Sequence, residues 1–433
     1  MSRLLVILFL VAGMAAGRPG PALAAQGTTA LTMEDCIRTA LEHNPQLVSS
    51  AQSIVIARNG LRQTRSSYSP QLTLNASEGP HGSSGGGATL SGNGATLILG
   101  MAFWQSGRQD LVSQSRANLR ASVSSHADTR LSVATVVAND YFAVLTAAEL
   151  ERVARTGVEN SEQHRKQVAA QIEQGKVAGV EIHTVDDDLA QARLSLIDAV
   201  ATVRAAIAAL KTDMGIPYTT DLLLARHTIG AQEATPEETK AVAMALANRP
   251  DLQAQRSVVE ARRYAVRVAR VARGPVVEIA GEANRQYPDW EDGSSAWNLA
   301  AGVTWPILDG GSSAAAQSTA EANLTTSEAD LEALANQATL DVQSALIELS
   351  QARERITAGE EALTAATARL RSAEAKYREG LGILIEVTDA RQAFSSAEAD
   401  AVRARFAYQV ARIALQRATG TLPLPGAEAV GPR

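Results

Sequence analysis

Three consecutive carboxylates, Asp186-Asp187-Asp188, are the residues whose type and spacing look most like a metal cluster. Successive side chains on a helix splay around its axis, so three in a row do not converge on one ion. A solvated helix face explains them better. Histidine is scarce, no His-Glu-x-x-His zinc pair occurs, and no nucleophile elbow follows a strand. Catalysis therefore has no visible carrier, and neither a metal nor a cofactor is expected. The stretch His81-Gly82-Ser83-Ser84-Gly85-Gly86-Gly87, with Gly92-Asn93-Gly94, fails as a phosphate cradle because Leu90 stands where glycine is needed. Cys36 is the single cysteine, so no intrachain disulfide is possible. Met33-Glu34-Asp35 before it is no lipidation site, and Cys36 reads as a small apolar filler. What remains are acids close to helix starts: Glu181, Glu386 and Asp389. Their simplest role is to oppose the helix macrodipole.

The elements around those acids are unusually long. Leu331, Ala335, Ala338, Val342, Ala345, Leu349, Ala352, Ile356, Gly359, Leu363, Ala366, Leu370, Ala373 and Tyr377 are spaced four and three residues apart in strict alternation. That is a heptad seam, which drives left-handed supercoiling. No proline interrupts the chain between Gly311 and Gly380. At 1.5 Å per residue this stretch makes a rod of about 100 Å. Composition agrees: aromatics are only 4% of the chain, so small residues fill close-packed helices. The net charge of −6 is mild and its charges are interspersed, which gives nucleic acid no basic block to bind.

Arg3 precedes an apolar run from Leu4 to Ala16, then Pro19, Pro21 and Ala22-Leu23-Ala24-Ala25. This pattern predicts a secretory signal peptide over residues 1–25. No later stretch is expected to cross a membrane as a helix.

The rest of the chain is written twice. Pro45 and Pro250, Pro70 and Pro275, Gly175 and Gly380, Glu181 and Glu386, Leu210 and Leu415, and Gly215 and Gly420 all stand 205 positions apart. Six landmarks in one register predict a tandem duplication. The halves span 26–215 and 236–420, joined by an equatorial linker at 216–235 and followed by a disordered tail at 421–433. Each half predicts a short helix, a second helix (46–67, 251–273), two strands (70–77 with 95–103, 275–283 with 297–305), a long helix (108–174, 312–379) and a last helix (181–214, 385–418). Thr32 is placed to cap the first short helix. The last helices carry matching seams, Ile182 to Leu210 and Val387 to Leu415, so each folds back antiparallel after a turn at Gly175 or Gly380. The first long helix has a seam through Leu119, Val123, Ala127, Leu131, Ala134, Ala138, Tyr141, Leu145 and Ala148 that degrades at Arg165.

The strands alternate strictly. Leu97, Leu99, Met101 and Phe103 share one face, as do Trp297, Leu299, Ala301, Val303 and Trp305, and Leu72 and Leu74. Trp104, Trp297 and Trp305 stand at strand ends, where interfacial aromatics belong. This pattern fits a membrane β-barrel. Four strands cannot close one, and an open edge is not tolerated in lipid, so closure has to be shared among several copies. The fold class is mainly α with a small β part: a long antiparallel coiled-coil α-barrel plus four membrane strands per chain. The glycine-rich connector then suits the cell exterior.

Taken together, these features resemble the TolC-type outer-membrane efflux and secretion channels over essentially the whole mature chain. The residues carrying the resemblance are Leu31-Thr32-Met33-Glu34-Asp35-Cys36-Ile37 with Ala40 to Pro45, Trp305-Pro306-Ile307-Leu308-Asp309-Gly310-Gly311, and Tyr377-Arg378-Glu379-Gly380 followed by Glu386 to Ala390. The resemblance implies a homotrimer with twelve strands in an outer-membrane β-barrel and a periplasmic tunnel of helices. It implies a periplasmic adaptor (membrane fusion) protein and an inner-membrane transporter as partners, in a tripartite efflux pump or type I secretion system. It places an acidic constriction at Glu386 and Asp389, where three-fold repetition focuses negative charge and favours cations. Tyr377 and Glu181 fall on positions that hold the mouth shut, and the tip turns at Gly175, Gly380 and Leu381 on the adaptor contact. Gly382 departs from the pattern, since a basic residue commonly follows that glycine. The competing reading is a periplasmic coiled-coil adaptor or structural tether. Strands occurring twice in mid-chain count against it.

Overall fold

The computed structural model describes residues 30–77, 80–81, 90–91, 93–225, 235–289 and 292–425. The expected signal peptide, most of the glycine-rich connector and the tail from residue 426 lie outside the described residues. The elements in chain order are α1 (Met33–His43), α2 (Pro45–Ser66), β1 (Gln71–Ser77), β2 (Pro80–His81), β3 (Leu90–Ser91) and β4 (Asn93–Gln105). There follow α3 (Arg108–Glu173), α4 (Glu181–Met214), α5 (Glu238–Asn248), α6 (Pro250–Arg270), β5 (Val276–Asp289), β6 (Asp292–Thr304), α7 (Ser312–Arg378) and α8 (Leu384–Thr419). Thr32 caps α1 in a full capping box with Asp35, which satisfies two otherwise orphaned amide donors.

The duplication is visible in local geometry. Gly175 and Gly380 both adopt positive φ, +67° and +74°, at the ends of the long helices. Each is followed by the equivalent bond: Lys176 N donates to Gln171 O and Leu381 N to Lys376 O, both at 2.9 Å. This is the left-handed glycine cap, a conformation that costs other residues strain. Gly215 and Gly420 end α4 and α8 in the same conformation and press on the short-helix junctions. A Cβ on Gly215 would lie 2.6 Å from the carbonyl oxygen of His43, and one on Gly420 3.1 Å from Arg249 N. The hairpin pairings are equivalent to within one residue: Leu72 faces Leu99 in β1–β4, and its counterpart Val277 faces Val303 in β5–β6, one short of the Thr304 that the same spacing would give.

The halves diverge at one buried point. Asn44 caps α2 with its side-chain oxygen and donates to Asp213 O at 2.7 Å. Its counterpart Arg249 instead bridges Asp251 and Asp341, 2.7 Å each, with its side chain only 8% exposed. Burying a cation this deeply requires both partners.

The seam of α7 is kept inside. Ala338, Val342, Ala345, Leu349, Ala352 and Ile356 are buried against α5 and α8. Truncating a buried leucine such as Leu349 to alanine costs about 2–5 kcal/mol. The seam of α3 is different. Leu131, Ala134, Ala138 and Tyr141 are buried, but Val123 and Ala148 are exposed, and Val133, Val137, Phe142, Val144 and Ala147 are buried as well. The reason is that α3 packs not on one partner but on α1, α2, α4, α6 and α8. Apolar residues therefore occupy more than one face, and a single heptad stripe under-describes it. For the same reason α3 holds a stretch long and apolar enough to cross a membrane, contrary to the expectation that none does. Half of that stretch is buried inside the chain itself.

The linker after Gly215 is partly ordered: Leu31 N donates to Leu223 O and Ala225 N to Leu31 O, both at 2.8 Å. The hydroxyl of Tyr141 donates to Ala225 O at 2.8 Å, pinning this segment to α3. The tail also begins ordered, since Leu422 is buried and Leu424 packs on the same core. Cys36 is fully buried in that core, and burial pushes its thiol up to about 12. It is inert filler.

The four long strands form one antiparallel sheet in the order β1-β4-β5-β6. The two halves therefore meet at the β4–β5 pairing, and β1 and β6 are its edges. The strands outrun the sequence expectation by several residues, β4 and β6 having 13 each and β5 14. Residues directly opposite one another share a face. Leu72, Leu99, Gly281 and Leu299 form one such row, and Leu74, Leu97, Ala283 and Trp297 the next. The register slips between Ala102 and Trp104, so Trp104, rather than Phe103, faces Val277 and Val303. That bulge brings a tryptophan onto the apolar face. Trp305 lies just past the end of β6 and is exposed. Trp297 and Trp305 are eight residues apart, about 26 Å along an extended strand. The other face carries Thr73, Ile98, Glu282 and Asn298 in one row, with Glu278, Ala102 and Gly302 in another.

Candidate gate at the hairpin tips

The antiparallel pairs α3–α4 and α7–α8 end at Gly175 and Gly380, on the far side of the chain's helices from the strands. Near these ends the two hairpins touch. Tyr377, on the last turn of α7, has its hydroxyl donating to Glu181 Oε2 at 3.3 Å, on the first turn of α4. Burial is the main cause that pushes the phenol up to about 12, with the nearby Glu181 carboxylate adding to it. The phenol therefore remains a donor across the physiological range. The structure thus brings together two of the sequence-expected tip residues from opposite halves.

Glu386 and Asp389 are placed differently. They stand at the start of α8, both exposed, while Val387 and Ala390 between and beside them are buried. Leu384 and Val387 anchor this turn in small apolar clusters with Val168, Val185 and Tyr377, and with Ala373 and Ala390. The buried neighbours fix the face, and the two carboxylates project from the opposite side. Among the described residues neither makes an ion pair. Leu381 is exposed at the turn itself. Gly382 leaves no room for a long side chain in this backbone, since a Cβ there would meet Lys376 Cβ at 3.1 Å and Tyr377 N at 3.3 Å.

The aspartate triplet is not simply solvated. Asp186 pairs with Arg165 across the α3–α4 hairpin, and Asp188 accepts from Thr388 Oγ1 at 3.0 Å, from α8. Burial is the main cause raising Asp188 above the usual carboxylate range. Asp187 stays exposed. The three carboxylates splay to different partners, which is why they form no metal site; among the described residues no acid, histidine and cysteine cluster suited to a metal occurs.

Sequence reasoning missed three residues at this junction: Arg391, Asn160 and His164. Arg391 Nη1 donates to the Asn160 backbone oxygen at 3.1 Å, and Nη2 to Glu374 Oε1 at 2.6 Å. His164 is buried at 4% exposure, its ring edge-on to Tyr377 with centroids 6.3 Å apart. Its Nε2 has no hydrogen-bond partner among the described residues. Burial, followed by the Arg391 charge, pushes this histidine down to about 4. These residues line a groove of about 620 Å³ between the hairpins. No spacing rule connects Arg391 with Asn160, 231 positions away. The only available signal was the odd polar His164 near a seam.

A rod of paired helices ending in a small strand layer, with polar bonds tying its far tips, defines a duplicated coiled-coil and β-strand channel fold. Solved structures that share it include outer-membrane channels. The Campylobacter jejuni CmeC outer membrane channel matches with a TM-score of 0.79 at 18% identity, covering 92% of this chain and 90% of that one. The open state of the Neisseria gonorrhoeae MtrE outer membrane channel matches at 0.76 with 22% identity, covering 90% and 88%. The outer membrane protein VceC from Vibrio cholerae matches at 0.76 with 19% identity, covering 90% and 96%. No curated protein sequence matches significantly. The family description "outer membrane efflux protein" matches residues 36–215 and again 241–421. The chain belongs to the outer membrane efflux protein family, and both copies of its duplication are family repeats.

Proposed function

We propose that this chain is the outer-membrane channel-tunnel of a tripartite efflux pump or type I secretion system, working as a homotrimer. It conducts passively, with energy supplied by an inner-membrane transporter through a periplasmic adaptor. The observation that carries the reading is the sheet: four strands with an apolar face ending in Trp297 at one end and Trp104 at the other, and with both edges unpaired among the described residues. Lipid does not tolerate such edges, so three chains closing twelve strands is the economical solution. The helices then continue the passage into the periplasm, and Glu386 and Asp389 ring its narrow end. Exposed Leu381 and the turns at Gly175 and Gly380 form the surface offered to the adaptor. The half-domains 26–215 and 236–420 act as equivalent staves joined at the equator.

The test is fractionation and chemical crosslinking of the expressed protein in a Gram-negative host. The proposal expects outer-membrane enrichment, a detergent requirement, a trimer ladder, and adaptor crosslinks through cysteines placed near residues 175 and 380. A soluble periplasmic monomer would instead support a coiled-coil tether.

A further inference from the structure

Resting on the channel reading above, we propose that arginines on α2 bind the phosphate headgroups of anionic phospholipid where the strands enter the membrane. Arg58, Arg62 and Arg65 stand at i, i+4 and i+7, so they share one face of the helix. All three are exposed. From Pro45 to Pro70 the chain holds these three arginines and no acid. Thr64 Oγ1 and Ser115 Oγ lie 3.0 Å apart, so the turns carrying Arg65 on α2 and Arg116 on α3 are neighbours. Nearer the strands, the Arg108 guanidinium lies over the buried Tyr68 ring, 4.2 Å from its centroid. Among the described residues none of these arginines pairs with a carboxylate. On α3 no acid stands between Asp110 and Asp128. Like charges four residues apart on a helix repel one another, so the stripe favours an anion brought from outside the chain.

The second half of the chain shows what is missing. Arg263, Arg267 and Arg270 stand 205 positions after the three arginines. Each has an acid: Glu328 at 2.9 Å, Asp110 at 3.9 Å and Glu321 at 3.7 Å. At the same offset, Val123 stands for Glu328 and Arg116 for Glu321, while Ala315 matches Asp110. The repeat has kept its arginines and lost their partners. A neighbouring copy does not supply them at this level. From Asp309, which Arg273 takes, to Glu321, which Arg270 takes, the chain holds no other acid. Position selects the occupant. Arg108 follows Trp104, on the apolar sheet face, by four residues, and Arg65 precedes β1 by six. The stripe then extends about 10 Å along the helix from Arg65 to Arg58, within about one Debye length of a charged membrane surface. Guanidinium forks match phosphate oxygens in number and direction.

The experiment is tryptophan fluorescence of the full-length protein in vesicles, quenched by brominated phosphatidylglycerol or by brominated phosphatidylcholine. Trp104 reports from the same end as the stripe. The wild type is expected to prefer the anionic lipid about three- to tenfold at low salt, and to lose most of that preference at high salt. Arg58→Gln, Arg62→Gln and Arg65→Gln together should remove the preference with little change in melting. Arg263→Gln, at a matched but paired position, should leave it intact. Should the triple variant fail to fold, Arg65→Gln is expected to lower the preference and Arg65→Lys to keep most of it. Equal preference in wild type and folded variants would overturn the proposal. Three other results would also overturn it. A variant that loses its trimer ladder but keeps its lipid preference would assign the stripe to a neighbouring copy. A shifted reversal potential with that preference kept would assign it to the passage, and wild-type preference abolished by millimolar inorganic phosphate to a free anion. A wild type that neither brominated lipid quenches would overturn the channel reading beneath it.

Discussion

The hydroxyl of Tyr377 donates to the Glu181 carboxylate at 3.3 Å, joining residues 196 positions apart at the junction of two repeats. The bond ties α7 of one half to α4 of the other at the point where both hairpins end. Tyr377→Phe removes the donor and leaves the ring in its apolar cluster with Leu384 and Ala373. The expected outcome is an increase of a few-fold in open-channel probability with nearly unchanged melting, since a neutral partner gives a bond of only about 1 kcal/mol or somewhat more to a charged one. Planar-bilayer recordings of the variant beside wild type check this. Equal open probabilities would mean that the bond restrains nothing.

Glu386 and Asp389 are exposed on one side of α8 while Val387 and Ala390 hold the other. Replacing both acids with alanine is expected to move the reversal potential in a salt gradient toward zero, because the acidic ring proposed above would lose its charge. Single replacements should give intermediate values. An unchanged reversal potential would relocate selectivity elsewhere.

Buried His164 and half-buried Asp140 give stability two opposing slopes with pH. His164 is held near 4 against an ordinary 6.5, so the folded state binds fewer protons in that window. Its contribution is intact above 6.5 and is lost as pH falls toward 4. The Tyr377 ring on α7 packs edge-on to it, and the charge that reaches it is that of Arg391 on α8. Asp140 is pushed to about 7 by burial and by Asp213 beside it, against an ordinary 3.8. Its stabilising protonated form is complete below 3.8 and is lost as pH rises through 7. Melting of the detergent-solubilised protein from pH 4 to 8 tests both: His164→Gln should flatten the acidic limb, and Asp140→Asn the limb approaching neutrality. A variant with the wild-type profile would exclude that group as the source.

The two sheet faces should respond oppositely to the same insult. Leu299→Arg puts a cation on the apolar face between the tryptophan rows, at an expected cost of about 2–4 kcal/mol if it lies near mid-bilayer. Ile98→Arg, on the face shared with Thr73 and Glu282, should fold normally and alter conductance instead. Urea unfolding in lipid vesicles separates the two, and equal sensitivity would argue against a lipid-facing side.

Much of this architecture was legible in the residues. Strict heptads from Leu331 to Tyr377 and the repeated glycines specify long antiparallel rods, because supercoil packing and left-handed caps depend on local spacing alone. Alternation in β4 and β6 likewise gave the apolar face. The bulge at Phe103 was not legible, since a register slip depends on the partner strand. The mixed burial of α3 was missed because several partners share one helix, which blurs any single stripe. At the tip, Tyr377 and Glu181 came from family resemblance, while Arg391, Asn160 and His164 depend on how two distant repeats are brought side by side. Periodicity carries no information about that.

One measurement bears most directly on the whole account: current through the purified wild-type protein reconstituted into a planar lipid bilayer, without nucleotide or ion-motive force. The account predicts discrete, ohmic single-channel steps carried preferentially by cations. A protein that stays soluble without detergent and yields no steps at any voltage would contradict it.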